Sequence, residues 1–245
     1  MTSTVWGSGR FCNHLIRNLA VSLVAEKHDL AVEYSCQENM NALGLHLFSG
    51  TQRHSTTLQL TEDNYFQLCQ SNRITYNLDS CHRFFQRGDI VRHIRSYLTN
   101  QSVKESIVNK NPFSSRYDSN NDAFVHIRLT DTRGSNPGLA YYLKALSMST
   151  FDTLYIATDD FEDDIIKGLL AAYPTAELVN KSEVETIQFG STCKHVILSH
   201  GSFSVIIGLL SYYSDVFYPQ HREGHIWYEP SAFDIPEWKV VEFTP

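Results

Sequence analysis

The sequence contains no CxxC pair, and its five cysteines (Cys12, Cys36, Cys69, Cys81, Cys193) are odd in number and widely spaced. Such spacing supports neither a disulfide framework nor a zinc knuckle, and it fits a reducing compartment. Basic runs are missing too. The 20 Lys and Arg residues never cluster beyond a pair, and the formal net charge is −7. Both features argue against a general nucleic-acid-binding face. The longest apolar stretch, near residues 205–210, is far too short to cross a bilayer. No basic segment followed by an apolar core marks a signal peptide, so the expected location is cytoplasmic. Internal repeats and low-complexity tracts are also lacking. What remains is 245 residues, 42% hydrophobic and 19% charged, enough for one large or two small domains with a real core.

The first 35 residues read as strand, turn, helix and strand: 2–6, the turn Gly7-Ser8-Gly9, a helical run through Leu15, Ile16, Leu19, Ala20, Leu23 and Val24, then 30–34. Such a βαβ start implies a parallel sheet with right-handed crossovers. The polar, aromatic middle of the chain predicts helices only at 62–70 and 87–98. Residues 100–122, rich in Asn, Ser and Asp, read as a linker. Beyond it, strands are expected at 123–130, 153–158, 176–179, 195–199 and 215–218. Helices are expected at 139–148, 161–172, 183–193 and 203–213. The expectation is an α/β chain of two Rossmann-like halves, 1–110 and 111–245, facing a cleft.

Ligands of parallel α/β sheets sit beyond the carboxyl ends of the strands. That selects Thr130-Asp131, Thr158-Asp159-Asp160 and Ser199-His200-Gly201-Ser202. In "FVHIRLTDT", period two puts His126 and Arg128 on one face of a strand. A guanidinium fork there suits a carboxylate or a phosphate, or else a structural ion pair with Asp131 or another acid. His126 is expected to play a supporting role. The acidic stretch "TDDFEDD" could place Asp160, Asp163 and Asp164 on one helix face as metal ligands. An N-cap at Asp159 or Asp160, with acids favoured by the helix dipole, accounts for it without an ion. "SHGSFS" brings Ser202 and Ser204 to a helix start whose free N–H groups favour an anion. The turn "GSGRFC" misses the dinucleotide fingerprint, since Cys12 stands where its third glycine belongs. Together the Arg128 and Ser202–Ser204 seats could grip a diphosphate from two sides.

Taken in order, these blocks resemble the α-1,2-fucosyltransferases and, more loosely, the superfamily that includes α-1,6- and protein O-fucosyltransferases. "GSGRFCNHLIRNLAVSLVAEKHDLAVEY" is similar to the family's opening GxLGNQ segment, and "VHIRLTD" to its HxRRxD motif. "LYIATDD" resembles the following strand, "CKHVILSHGSFSVIIGLLS" the block carrying SxFS, and "HIWYEPSAFDIPEW" the closing proline–tryptophan segment.

The resemblance implies a GT-B-like fold and an inverting, metal-independent transfer from a GDP-sugar, typically GDP-fucose, to a hydroxyl of a glycan acceptor, with no cofactor. It implies that Arg128 holds the β-phosphate while His126 and Asp131 shape its loop. Asp159 and Asp160 would lie near the nucleoside, and Ser202, Phe203 and Ser204 would close on the diphosphate. Arg10 and Asn13 would border it from the first half. Asp131 and His14 are the candidate general bases. The sequence departs from the family pattern at Leu129 (second arginine), Thr130 (glycine), Cys12 (glycine) and His14 (glutamine). Val205-Ile206-Ile207 stands in place of Trp-Trp-Gly. Two alternatives follow from these departures: a transferase of another nucleotide-linked sugar such as rhamnose, or a degenerate protein that binds nucleotide or glycan without catalysis.

Overall fold

The computed structural model describes residues 1–5, 7–220 and 229–243. Trp6, expected to end the first strand, and residues 225–228 of the tail motif lie outside the described residues. Backbone packing divides the chain into two units, Met1–Ile107 and Val108–Pro245.

The first unit holds a four-stranded parallel sheet. Its strands are β1 (Thr2–Ser3), β2 (Val32–Glu33), β3 (Thr57–Gln59) and β4 (Asn77–Asp79), in the order β2-β1-β4-β3. Helices α1 (Phe11–His28), α2 (Gln37–Ala42), α3 (Tyr65–Gln70) and α4 (Gly88–Leu98) complete it. Helix α1 buries Leu15, Ile16, Leu19, Ala20 and Val24, the helical stripe expected from the sequence. β3 was not anticipated, and all three of its residues are exposed, so no apolar face announces it.

Helix α5 (Gln101–Lys110) occupies most of the segment expected to be a linker. Its start is fixed by Asn100, whose side chain accepts from Ser102 N (3.2 Å) and Ser102 Oγ (2.9 Å). A single deeply buried residue, Ile107, is too sparse a stripe to stand out among Asn, Ser and Lys.

The second unit is a six-stranded, wholly parallel sheet. Its strands are β5 (Ala123–Ile127), β6 (Leu154–Thr158), β7 (Glu177–Leu178), β8 (His195–Ile197), β9 (Asp215–Pro219) and β10 (Lys239–Val241), in the order β10-β9-β8-β5-β6-β7. Helices α6 (Leu139–Leu146), α7 (Asp164–Ala172), α8 (Glu183–Gly190) and α9 (Ser202–Leu210) alternate with them. Read from β7, the unit's strands run third, second, first, fourth, fifth, sixth, which is the doubly wound dinucleotide-fold order. Direction therefore reverses between β5 and β8, and that switch point is where such sheets bind ligands.

All five residues of β5 are buried, because the sheet is covered on both sides. Val125, Ile127 and Leu129 pack with Tyr141, Tyr142, Ile156 and Ile166. On the other side Phe124 meets Phe189 and His126 meets Phe203, with ring centroids 6.4 and 4.8 Å apart. The strand expected to run to residue 130 stops at Ile127, so strand alternation does not extend to Arg128. β10 adds an edge strand that the sequence did not announce.

Candidate functional site: the switch point of the second unit

Arg128 follows directly on β5. Its Nη1 pairs with Asp159 Oδ2 and its Nη2 with Asp131 Oδ1, each at 2.5 Å, and its side chain is 18% exposed. Asp159, at the tip of β6, does more than balance that charge. Its Oδ1 accepts from Leu129 N (2.7 Å) and its Oδ2 from Thr130 Oγ1 (2.7 Å). Burial pushes the Asp159 carboxyl up. The bonds from Thr130 and Leu129 and the Arg128 charge outweigh that and hold it below the usual range. Asp159 thus fixes the backbone that carries Arg128.

A second brace comes from β8. Ser199 Oγ, fully buried, accepts from Arg128 N (3.3 Å) and Tyr142 OH (2.9 Å) and meets His200 Nδ1 at 3.2 Å. Asn136 Nδ2 donates to Arg128 O (2.8 Å) and Tyr142 OH (2.9 Å), while its Oδ1 receives Gly138 N (2.8 Å). Ser199 belongs to a strand end selected from the sequence, but Asn136 and Tyr142 were not singled out, and neither was the bracing role of Ser199. "GSNPG" reads as a plain turn, and only its position after the Arg128 strand could have marked Asn136.

Helix α9 begins just past β8, at Gly201 (φ 85°, ψ 168°). That conformation is almost confined to glycine, and a Cβ there would meet nothing, so the restriction is conformational rather than spatial. Among the described residues no side chain caps α9, and its first turn holds no acid. Val205 N–H is the amide that bonds back to Gly201 O (3.2 Å), which leaves the N–H groups before it at the positive end of the helix.

The two serines expected at this seat have different fates. Ser202 is half-buried, whereas Ser204 is fully buried and its Oγ lies 2.7 Å from His126 Nδ1. Burial takes the His126 imidazole down to about 3, with Arg128 and His200 acting in the same direction and Asp159 against it. The ring is neutral near pH 7 and props α9 against β5.

Asp160 does not join the cluster. Its Oδ1 accepts from Glu162 N at 3.0 Å in a local turn. The α7 cap is Asp163, not Asp159 or Asp160: its Oδ1 accepts from Ile165 N (2.9 Å), and its Oδ2 lies 2.8 Å from Arg133 Nη1. The helix starts three residues later than expected, so Asp160, Asp163 and Asp164 share no helix face. Among the described residues no group of three or more His, Cys, Asp and Glu is arranged to hold a metal ion.

Arg10, Asn13 and His14 lie at the start of α1 in the first unit. Arg10 is its N-cap residue. Asn13 Oδ1 accepts from Gln86 Nε2 (2.7 Å), and Asn13 packs so close to Gly9 (φ 103°) that a Cβ there would clash at 2.6 Å. His14 Nε2 donates to Gly9 O (3.1 Å), while its Nδ1 meets Ser35 Oγ (2.9 Å) and Arg17 Nη1 (3.3 Å). Burial, then the Arg17 charge, lowers its basicity, and its bond to the Gly9 carbonyl opposes them.

Sequence reasoning also missed Arg17, which is fully buried. Its Nε donates to Arg83 O and its Nη2 to Ser8 O, both at 2.7 Å. Those carbonyls belong to the loops after β4 and β1, the neighbouring strands at the first unit's own switch point.

Fold and site together define a doubly wound parallel sheet with a guanidinium and an open helix start at its switch point. No protein-family model matches the chain, and no curated protein matches it. Among solved structures, POFUT1 in complex with GDP is similar at 11% identity, over 89% of this chain and 97% of that one, with a TM-score of 0.48. The E. coli heptosyltransferase WaaC with ADP is similar at 10% identity, over 98% and 92%, also with a TM-score of 0.48. At these scores neither assigns an activity to this chain. Among the described residues no helix is long and apolar enough to cross a membrane.

Proposed function

We propose that the chain is a glycosyltransferase that uses a nucleoside-diphosphate sugar. The observation that carries this reading is the pairing of Arg128 and the uncapped start of α9 on β5 and β8, the two strands that flank the switch point. A guanidinium fork and a helix N-terminus are both suited to a diphosphate.

In the reaction, an acceptor hydroxyl attacks the anomeric carbon from the face opposite the nucleotide. The sugar–oxygen bond breaks, negative charge grows on the departing diphosphate, and the hydroxyl proton passes to a base or to solvent as the new bond forms. Donors fixed in advance stabilise that charge most in the transition state, which is where stabilisation accelerates the reaction. His126 and Ser204 keep α9 in place, and Asp159 and Ser199 keep Arg128 in place.

The more specific reading is an inverting, metal-independent fucosyl transfer from GDP-fucose to a glycan, as in the α-1,2-fucosyltransferases. It is supported by the order of the "HIRLTD", "ATDD" and "SHGSFS" blocks. Calorimetric titration of GDP with and without EDTA tests the nucleotide site and its metal independence together. Micromolar binding that survives chelation is expected, and no heat at millimolar GDP would refute the reading. A panel of nucleotide sugars then tests the donor: turnover with GDP-rhamnose but not GDP-fucose would replace fucose.

A further inference from the structure

The sheet of the first unit leaves one face open. Strand register sets Glu33, Ser3, Asp79 and Gln59 in a single rank across β2, β1, β4 and β3. Glu33, Asp79 and Gln59 are exposed and Ser3 is half-buried, whereas Val32, Thr2 and Leu78, on the opposite face, are buried. A wholly parallel sheet normally has both faces covered. Ser3, Asp79 and the neighbouring Thr57 line a hollow of about 290 Å³, together with Thr4, Gly7 and Cys81. Asp79 is the only charged side chain among the described residues that line it. Its Oδ1 accepts from Cys81 N (2.8 Å), and among the described residues nothing donates to its Oδ2. Gly7 forms the wall against the sealed Arg17, since a Cβ there would sit on the guanidinium. That guanidinium lies over the ring of Phe84, 5.8 Å from its centroid, and Phe84 is 38% exposed. The loop carrying Phe84 is firmly held. Glu62 Oε1 accepts from Phe84 N and Phe85 N (3.3 and 3.1 Å), and His82 and Phe85 take left-handed backbone, φ 62° and 54°. Such strain in bulky residues collects at ligand sites.

We propose that this hollow seats one neutral sugar ring, with Asp79 and Ser3 taking its hydroxyls and Phe84 at its border. The seat does not depend on the reading of Arg128. A carboxylate accepts strong bonds from hydroxyls, and serine and threonine both give and accept them. The face of an aromatic ring attracts the positive C–H edge of a sugar. The volume lies at the lower end of ligand sites, roughly 300–1,000 Å³, which suits a single ring better than an extended peptide. Asp79 repels an anion, and the Arg17 charge behind Gly7 opposes a polycation. A second copy packed face to face on a twofold axis would set the Glu33 and Asp79 rank against itself, carboxylate toward carboxylate.

The test is saturation-transfer NMR on the full chain with the methyl glycosides of galactose, glucose, mannose and fucose. A lysine pentapeptide is the cationic probe, and the proteins are wild type, Asp79→Asn, Thr57→Trp and Phe84→Ala. At least one glycoside should bind wild type at millimolar concentration. Asp79→Asn keeps an acceptor for Cys81 N and should weaken that binding about tenfold, the loss of a charge-assisted bond. Thr57→Trp, on an exposed strand, fills the hollow and should abolish it, and Phe84→Ala should weaken it a few-fold. Where Thr57→Trp unfolds in urea well before wild type, Asp79→Asn alone decides. No glycoside binding, or binding unchanged in Asp79→Asn or in folded Thr57→Trp, overturns the proposal. So does pentapeptide binding that Asp79→Asn removes while no glycoside binds, which makes the face a basic-peptide seat. Glycoside binding with the expected pattern upholds the seat even where GDP does not bind, and that failure refutes the nucleotide reading alone.

Discussion

Each unit puts one arginine beside its switch point, and the two are held in opposite ways. Arg17 is sealed from solvent and donates to the carbonyls of Ser8 and Arg83 and to a neutral His14 ring. Among the described residues none of its contacts is a carboxylate. Arg128 stays partly exposed, against the carboxylates of Asp131 and Asp159. A backbone carbonyl cannot leave its place, so Arg17 is a strut that fastens the loop after β1 to the loop after β4. A side-chain carboxylate has rotatable bonds, and the proposed function asks Arg128 to offer its fork to an anion. The lesson is that the partners of a cation, more than its depth, decide whether it can serve a ligand.

The contrast is most exposed to test through catalysis. Arg128→Ala should lower turnover by about 10²–10³, or roughly 3–4 kcal/mol of transition-state stabilisation. Arg128→Lys should be nearly as damaging, because the fork is lost. Wild-type turnover in the lysine variant would remove the bidentate role. Both variants should unfold in urea within about 1 kcal/mol of wild type, as expected for a partly exposed ion pair.

Arg17→Met should do the reverse. It removes two part-buried bonds from a charged donor, to Arg83 O and Ser8 O, each worth about 1.5–3 kcal/mol, so a loss of about 3 kcal/mol in urea unfolding is expected. A variant as stable as wild type would mean that Arg17 is no strut.

The acid response sharpens the comparison within the second unit. His126 titrates near 3 when folded and near the ordinary histidine value of 6.5 when unfolded. Between those values the unfolded chain binds the extra proton, so stability falls as pH drops from about 6.5 toward 3. The slope for such a group is about 1.4 kcal/mol per pH unit. His126→Asn should lose one proton's worth of that slope in urea unfolding between pH 6.5 and 4.5, and an unchanged slope would contradict a buried neutral ring. His14, His93 and His195 are lowered in the same sense and add to it, as do carboxylates held below their usual range such as Asp159 and Asp215. Smaller still, Ser204→Ala should cost about 1–2 kcal/mol by stranding His126 Nδ1. Thermal unfolding at pH 7 measures it.

The second unit was far more legible in the sequence than the first, for a physical reason. Its buried strands are apolar runs such as "AFVHI" and "LYIAT", separated by turn residues, and they state themselves. Arg128, Asp159 and Ser202 could be found because polar residues at the ends of such strands are conspicuous. In the first unit β1 and β2 were read from the βαβ opening, but β3 is wholly exposed and β4 has a single apolar residue, so neither carries a period to read. Its loops are held by contacts remote in sequence, as from Arg17 to Arg83. The Ser199–Asn136–Tyr142 network was invisible for the same cause: Ser199 marked a strand end, but its partners Asn136 and Tyr142 meet it only once β5 and β8 are neighbours. Ser204 shows the limit of reading hydroxyls from a motif: its position was right, but its hydroxyl faces His126.

Leu129 carries a consequence for how the site answers to its medium. Where the fucosyltransferase motif has a second arginine, this chain has a residue 1% exposed and packed in the main core of the unit. On the proposed function, a diphosphate at this seat meets, among the described residues, the Arg128 guanidinium and the peptide dipoles of α9, in the field of a chain whose net charge is −7. Dissolved ions screen the long-range repulsion of that field more than they weaken the short hydrogen bonds inside it. Affinity for a diphosphate should hold or rise between low and physiological ionic strength, the opposite of what a cluster of arginines would give.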